Sequence, residues 1–289
     1  MNEKNDFDEK IYLSGLYTRI APLYDQVGFK AFSYYFGKRL VELIEIPENA
    51  KVLDIATGRG ASLFPSTKRV GPRGSVNGID IADGMVKETT KDIAKSGYSY
   101  VKILKMDAEN LKFDDNTFDF ILCGLSIFLF PHSEIALNEA FRVLKPDGRI
   151  GITTFCPGYS SGYSITWQKG LILRYMTKSR MKDEELKMLL KLKAVEKPEF
   201  KTAEGMKKIM TKANFKEVNS LIEEKEFICN NAEEWWNFLW STGSRSVLEK
   251  MSSDNLMKLK EETIEKFNRV TLEDGLHQVI KVLFTFGTK

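Results

Sequence analysis

The length, composition and charge of the chain exclude several classes of protein. Its 289 residues, 43% of them hydrophobic, can bury a full core, and this length suits one elaborated domain or a domain with a cap. Three distant cysteines (123, 156 and 229) do not suggest a disulfide framework, and the longest apolar run, 120–131, is too short to span a bilayer. The net charge of +3 is spread unevenly, since residues 169–216 carry 14 basic and 6 acidic groups.

The beginning of the chain is polar and then helical. Residues 1–10 show no signal peptide, so we expect a cytoplasmic protein without a membrane span, either monomeric or homodimeric. Residues 11–46 are predicted to be helical, with a stripe on one face at Tyr17, Ile20, Leu23 and Tyr24. Such a stripe either docks on the core or belongs to a lid that excludes water from a site.

The stretch 51–60 combines a short apolar strand, a glycine turn and the start of a helix. The strand carries Asp54 near its C-terminal end, and the turn contains Gly58 and Gly60. This arrangement brings backbone N–H groups close to a ligand. Asp80 ends the next strand, 20 residues after Gly60, where a carboxylate accepts hydrogen bonds from a ribose diol. Together the two motifs predict a nucleoside site.

Two nucleoside cofactors compete for such a site. The NAD fingerprint requires a third glycine at position 63, where this chain has Leu63. Asp54 at the mouth of the loop would repel a pyrophosphate but would suit an ammonium or a sulfonium group. The sequence therefore favours a cationic nucleoside.

Strands and helices alternate between residues 51 and 155. Strands are predicted near 51–56, 75–80, 101–106, 117–124 and 149–155, and helices near 60–70, 83–97 and 133–145. The alternation predicts an α/β fold with a parallel sheet covered by helices on both faces. Ligands of such sheets bind at the carboxyl ends of the strands. Four side chains lie at or near those ends: Asp54, Asp80, Asp107 and Cys123.

The pattern changes after Phe155. Helices are predicted to about 193 and at 202–213, a strand at 215–229, helix over 231–270 and a last strand at 278–286. We expect the last two strands to complete the sheet and the helices at 160–195 and 231–270 to cover the site. Trp235, Trp236 and Trp240 either line a hydrophobic acceptor pocket or pack in the core.

Five motifs resemble those of class I S-adenosylmethionine-dependent methyltransferases, closest to the ubiquinone and menaquinone biosynthesis branch. In chain order they are 52–60, 78–85, 106–108, 118–123 and 142–149. The resemblance implies a Rossmann-like, seven-stranded, mostly parallel sheet with a helical cap. The chain departs from the family at Ala56, where glycine is frequent, so we expect Ala56 to have a negative φ.

The same resemblance implies a division of the chain and a set of ligand contacts. The parts are a helical lid (1–50), a cofactor-binding core (51–157), a helical cap insertion (158–200) and a completion of the sheet (201–289) with a second cap at 231–270. The cofactor would be S-adenosyl-L-methionine and the product S-adenosyl-L-homocysteine. Asp80 would bind the ribose, Asp107 and Ala108 the adenine. Asp54 would meet the methionine ammonium or cap loop amides. The other predicted cofactor contacts are Tyr24, Ala56, Gly58, Gly60, Ile81, Met85 and Cys123, and Tyr17 joins the three tryptophans in the substrate pocket.

Methyl transfer asks little chemistry of the protein, because the sulfonium methyl group is already activated and needs mainly an aligned nucleophile in a dry site. His132, beyond the fourth strand, is the candidate base if the nucleophile arrives protonated; a loop or helix-cap role is the alternative. No HxxxH, CxxC or carboxylate cluster indicates a metal, so none is predicted.

The predicted function is methyl transfer to O, N or C of a small apolar or aromatic acceptor. One alternative is an S-adenosylmethionine-binding protein with other chemistry. Another is an RNA-modifying enzyme, suggested only by the net charge of +8 (14 minus 6) over 169–216. Helices with solvated lysine faces also explain this charge, so we do not expect a nucleic-acid partner. A thiolate-dependent arsenite methyltransferase would need the three cysteines to converge.

Overall fold

The computed structural model describes residues 3–24, 31–156, 164–178 and 197–289. The predicted loop at 157–162 and the predicted helix between 179 and 193, with part of the basic segment, lie outside the described residues.

The seven strands of the described residues form one sheet. They are β1 (Lys51–Ile55), β2 (Ser75–Asp80), β3 (Val101–Lys105), β4 (Phe118–Gly124), β5 (Leu144–Phe155), β6 (Lys216–Cys229) and β7 (Leu276–Thr288). Their order is β3-β2-β1-β4-β5-β7-β6. The first five strands pair in parallel, and β7 runs antiparallel to both β5 and β6. The predicted seven-stranded, mostly parallel sheet is confirmed.

Ten α-helices of the described residues surround or extend this sheet. They are α1 (Glu3–Ile20), α2 (Ala31–Ile44), α3 (Leu63–Val70), α4 (Asp83–Ser96), α5 (Ser133–Val143), α6 (Ser164–Lys178), α7 (Ala203–Lys212), α8 (Ala232–Trp240), α9 (Arg245–Leu248) and α10 (Ser253–Val270). Among the described residues, no helix is both long enough and apolar enough to cross a membrane.

Two hydrophobic clusters, one on each face, hold the sheet between its helices. Val52 and Leu53 are both fully buried neighbours on β1, and they belong to different clusters. Because successive strand residues point to opposite faces, the clusters lie on opposite sides of the sheet. Leu40 of α2 packs in the first cluster and Leu137 of α5 in the second. Burial on both faces explains why the central strands read as apolar runs.

Two boundaries differ from the sequence predictions. The strand expected at 149 begins at Leu144, because Leu144 already pairs with Phe118 on β4 before a register shift. The helix expected over 231–270 is divided into α8, α9 and α10. Asn231 caps α8 by accepting a hydrogen bond from the backbone of Glu234 (2.8 Å), and Ser252 caps α10 in the same way. Because each of these caps starts a separate helix, the stretch expected to form one continuous helix contains three shorter ones.

Candidate functional site

Three adjoining cavities open at the carboxyl ends of the central strands. We call them the strand cavity (about 120 Å³), bordered by Asp80, Met85 and Asp107; the loop cavity (about 470 Å³), bordered by Asp54 and Gly58; and the aromatic cavity (about 470 Å³), bordered by Phe32, Phe128, Phe155, Trp235 and Phe238. Tyr24 and Leu125 line all three. The cavities therefore meet at one point, beside Leu125, which directly follows β4, and Tyr24, which lies four residues after the end of α1.

The glycine turn after β1 separates the strand cavity from the loop cavity. Gly58 has a φ of 53°, which favours glycine, and a Cβ atom there would meet nothing within 4 Å. The backbone at Gly58 thus faces open space on the side where a ligand would approach. Its N–H donates a hydrogen bond to Asp80 Oδ2 at 2.9 Å, which joins the turn to the end of β2.

Asp80 is held in one orientation by backbone amides. Its second carboxylate oxygen, Oδ1, accepts a hydrogen bond from the backbone N–H of Ala82 at 2.9 Å. Burial raises the pKa of Asp80, and the amide hydrogen bonds oppose that effect. Since a carboxylate has about four acceptor positions, each oxygen retains room for a further donor from a ligand in the strand cavity.

Asp54 is the second buried carboxylate, with 1% of its surface exposed. Thr57 Oγ1 donates a hydrogen bond to Asp54 Oδ2 at 2.5 Å. Burial raises the pKa of Asp54 to about 7, the Thr57 hydrogen bond lowers it, and the negative charge of Asp80 raises it further. Asp54 is therefore poised to change its charge near neutral pH, and a cationic group in the loop cavity would favour its ionised form.

Asp107 and the N-terminal helix close the far end of the strand cavity. Lys10 on α1 donates to Asp107 Oδ2 at 2.7 Å and lies 2.5 Å from Glu109 Oε2. Desolvation lowers the pKa of Lys10, but its hydrogen bonds to the two carboxylates outweigh that effect and raise it. Asp107 Oδ1 also accepts from the backbone of Glu109 at 2.9 Å, so Asp107 shapes its own turn as well as facing the cavity.

Comparison with known proteins decides which family this site belongs to. The sequence matches the model of the ubiE/COQ5 methyltransferase family over residues 8–227. The chain belongs to this family. It is 30% identical to the nocamycin O-methyltransferase of Saccharothrix syringae over 244 residues, covering 83% of this chain and 85% of that protein. It is also 35% identical to the aklanonic acid methyltransferase DauC of Streptomyces sp. (strain C5), over 52% of this chain and 67% of that protein.

Solved structures agree on the fold. The YcgJ protein of Bacillus subtilis aligns with 88% of this chain and 98% of its own, with a TM-score of 0.54 and 16% sequence identity. The predicted membership of the methyltransferase family, its enzymatic activity and the Rossmann-like sheet are confirmed.

Ala56 in this methyltransferase does not have the negative φ expected from sequence. Its φ is 52°, in the left-handed region, at the position where the family often has glycine. The expectation was wrong because the turn is fixed from both sides: the neighbouring Thr57 N–H donates to the backbone of Ile79, and Gly60 N–H donates to Thr57. Because the turn is held in this shape, Ala56 adopts the left-handed conformation, which costs about 1 kcal/mol of folding free energy.

Replacing Ala56 by glycine is therefore expected to stabilise the methyltransferase. Relief of the left-handed strain exceeds the extra chain entropy of glycine, for a net gain of about 0.5 kcal/mol in the free energy of unfolding. Urea denaturation would measure it. The matched control is Ala82→Gly, because Ala82 has a negative φ of −88° and is fully buried, so glycine should destabilise there. Equal destabilisation by both changes would contradict the strain argument.

His132 lies away from the point where the three cavities meet. Its Nδ1 atom is 3.0 Å from Glu109 Oε2, and its backbone N–H donates to Glu109 Oε1 at 2.9 Å. It lines an outer cleft beside Lys10 and Asp107, and it borders none of the three cavities. His132 directly precedes α5, but its side chain makes no capping hydrogen bond to that helix. Its position argues against the predicted general base and favours a loop histidine held by Glu109.

Cys123 also differs from its predicted role, because its side chain points into the core. It is 2% exposed, and its Sγ lies 3.1 Å from Ser126 Oγ. The residues that follow it, Gly124, Leu125 and Ser126, line the strand cavity instead. The sequence analysis missed these three residues because it expected the side chain of Cys123, near the end of β4, to reach the site. Cys123 and Cys156 belong to a different core cluster from Cys229, so the three thiols do not converge.

The remaining predicted site residues differ in which of the three cavities they line. Tyr24, Ala56, Gly58, Ile81, Met85 and Ala108 border the strand cavity, as does Tyr17, which also reaches the aromatic cavity. Gly60 lines none of the three cavities; a Cβ there would meet the Phe64 ring at 2.6 Å, so its role is in the turn. Trp235 borders the aromatic cavity, whereas Trp236 and Trp240 pack against each other with ring centroids 6.4 Å apart.

Proposed function

We propose that this methyltransferase binds S-adenosyl-L-methionine across the strand and loop cavities and transfers its methyl group to a small acceptor in the aromatic cavity. The observation that carries the proposal is the meeting of all three cavities at Tyr24 and Leu125. A donor in the first two cavities and an acceptor in the third would come into contact only there.

The residues present fit S-adenosyl-L-methionine. Asp80 retains acceptor positions for the ribose diol, and the bare backbone at Gly58 leaves space for the ligand next to it. Asp107 and Ala108 would hold the adenine, and Asp54 would face the ammonium of the methionine moiety. When bound, the cofactor supplies an electrophilic methyl group on sulfur. The chain would contribute alignment and the exclusion of water.

The packing behind the glycine turn argues against NAD. Leu63 is fully buried, and a Cβ atom added at Gly78 would lie 2.9 Å from Leu63 Cδ1. The first helix after the turn is therefore spaced from β2 by a leucine side chain, where the NAD fingerprint needs glycine for close packing. Asp54 adds a buried carboxylate beside the position that a pyrophosphate would occupy.

The aromatic cavity suits an apolar or aromatic acceptor. Its volume of about 470 Å³ is within the range of small-molecule sites, and seven aromatic rings border it. Two relatives of this chain are named for methylation of nocamycin and of aklanonic acid. Both points support a small organic acceptor for this chain as well.

Calorimetric titration tests the cofactor directly. We expect micromolar binding of S-adenosyl-L-methionine and no binding of NAD to the full chain. The affinity should rise between pH 6 and pH 8, because the pKa of Asp54, about 7 in the free protein, must fall when a cationic group binds beside it. Binding near pH 7 should release protons, so the apparent enthalpy should depend on the buffer.

The control for that titration is Asp54→Asn. This change should remove the pH dependence and weaken binding at pH 8, while leaving binding at pH 6 little altered. The same change should alter how the free energy of unfolding depends on pH. In the unmodified protein the pKa of Asp54 is higher in the folded state than in the unfolded state, so the stabilising contribution of Asp54 is present below about pH 4 and is lost as the pH rises through 7. The Asp54→Asn variant should lack this loss. An affinity for S-adenosyl-L-methionine that is flat from pH 6 to 8 in the unmodified protein would contradict this assignment of Asp54.

A further inference from the structure

The strand β6 lies at one edge of the sheet and is the longest strand of the described residues. It covers Lys216–Cys229 and pairs with β7, and no other described strand pairs with it. Its pairing with β7 is regular from Asn219 to Cys229, beyond a register shift at the beginning of the strand. A long edge strand presents a row of N–H and C=O groups with which another strand can pair.

Alternate residues of β6 direct their backbone groups away from the sheet. The N–H of Cys156 donates a hydrogen bond to the carbonyl oxygen of Lys281 at 3.1 Å, which continues the antiparallel register of β5 and β7. Lys281 therefore directs its N–H and C=O toward β5, and the next residue, Val282, directs its own toward β6, because the direction alternates along a strand. Val282 lies opposite Glu223, so Glu223 bonds to β7 and its neighbour Ile222 directs its N–H and C=O to the open edge.

The middle of this open edge is apolar. The side chain of Ile222 is 60% exposed and that of Leu221 is 37% exposed. Successive side chains point to opposite faces of a strand, so both faces of β6 carry an exposed apolar group at its centre. Residues 218–222 contain no charged side chain, whereas the next four, 223–226, are all charged. The apolar centre is therefore bounded on one side by a run of charges.

The run of charges restricts how β6 could pair with a second copy of itself. When two copies of a strand pair antiparallel about a two-fold axis, the residue at the axis lies opposite its own copy. An axis at any position from 223 to 226 would place two like charges opposite each other, which is destabilising. An axis at Ile222 pairs residues 219–225 of the regular segment and opposes no like charges. An axis at any other uncharged position pairs a shorter part of that segment.

We propose that the chain forms a homodimer in which β6 pairs antiparallel with β6 of a second copy, about a two-fold axis at Ile222. The outward N–H and C=O groups of Ser220, Ile222 and Glu224 then form about six backbone hydrogen bonds between the copies. The exposed side chain of Ile222 packs against its own copy, and the two sheets become one. No residue of β6 lines the strand, loop or aromatic cavity, so this inference does not depend on the proposed function.

Sedimentation velocity of the full chain tests the dimer. Because the interface is small, the unmodified protein should be more than half dimeric at about 100 μM and should dissociate at about 1 μM. The Ile222→Lys variant should have a dissociation constant at least about 10-fold higher, because two lysines replace the apolar pair at the axis. Met257→Lys is the matched control, since Met257 is 57% exposed but lies on α10, and this variant should dimerise normally.

A mixture of two variants tests the position of the axis. Ile222→Glu alone should dissociate as Ile222→Lys does, since it also opposes two like charges. In an equimolar mixture a lysine can face a glutamate across the axis, so the mixture should dimerise at least about 10-fold more tightly than either variant alone. A variant that had merely lost its fold could not be rescued in this way. Circular dichroism should show both variants folded, because the side chain that they replace is exposed.

Amide hydrogen exchange, resolved by NMR, tests which backbone groups meet the second copy. At about 100 μM the N–H groups of Ser220 and Glu224 should exchange at least about twofold more slowly in the unmodified protein than in the Ile222→Lys variant. The N–H of Lys225, which faces β7, should exchange at the same rate in both. The proposal is overturned if the unmodified protein is monomeric at both concentrations, if Ile222→Lys dimerises normally, if mixing the two variants restores no dimer, or if the exchange of Ser220 and Glu224 does not differ.

Discussion

Replacing Asp80 by alanine is expected to lower the affinity for S-adenosyl-L-methionine by a factor of about 10² to 10⁴. The change would remove two hydrogen bonds from the ribose to a charged acceptor, each worth about 1.5 to 3 kcal/mol. It would also release the Gly58 and Ala82 amides that Asp80 now holds at 2.9 Å, so the glycine turn would lose its link to β2. Calorimetric titration of the purified variant would measure the loss.

The control for Asp80 is a neighbouring carboxylate on the surface. Asp83 pairs with Lys105 at 2.7 Å, and its side chain is 65% exposed, so Asp83→Ala should leave the affinity unchanged within about twofold. Circular dichroism would confirm that both variants are folded. Near-normal cofactor binding by Asp80→Ala would refute the assignment of this site to a nucleoside.

Replacing Gly84 by valine is expected to displace the N-terminal helix. A Cβ atom at Gly84 would lie 2.3 Å from the backbone oxygen of Thr18 and 2.7 Å from its Cα, so the backbone of α1 would have to move away from α4. This movement would also displace two residues of α1: Lys10, which covers Asp107, and Tyr17, which borders two cavities. We expect amide hydrogen exchange over residues 9–20 to become at least about 10-fold faster, since the contacts that hold the helix are lost.

The same substitution should weaken binding of S-adenosyl-L-methionine by at least about 10-fold, because the cavity loses one wall and admits water. Gly15→Ala on α1 is the control. A Cβ at Gly15 would make only an ordinary 3.5 Å contact with Arg19, and alanine favours helix by about 0.5 to 1 kcal/mol, so exchange there should slow. If Gly84→Val left both exchange and affinity unchanged, α1 would not be part of the binding site.

The central half of the fold could be predicted from sequence because its determinants are local. The strands at 51–55, 75–80 and 118–124 are short apolar runs bounded by turn residues, and their parallel pairing follows from the helices between them. Asp80 could be placed for the same reason, since a residue at the end of a strand must lie at the carboxyl edge of the sheet.

What could not be predicted depends on contacts between distant parts of the chain. The positive φ of Ala56 is imposed by a hydrogen bond to β2, and the position of His132 by Glu109, 23 residues earlier. The tryptophan cluster shows the same limit. Periodicity puts Trp235, Trp236 and Trp240 on one helix, but only the packing of α6 and β7 decides that Trp235 borders the cavity.

The burial of the three cysteines has a consequence for labelling. Cys123, Cys156 and Cys229 are each at most 4% exposed, and burial raises the pKa of every one of the three thiols. Because the thiolate is the form that reacts with maleimides, the native thiols should remain unmodified at neutral pH. Ile11 on α1 is 52% exposed, so the Ile11→Cys variant should be labelled with one fluorophore at position 11 while the three native thiols remain unlabelled. Every labelled molecule would then carry its fluorophore on α1, the helix whose Lys10 covers Asp107.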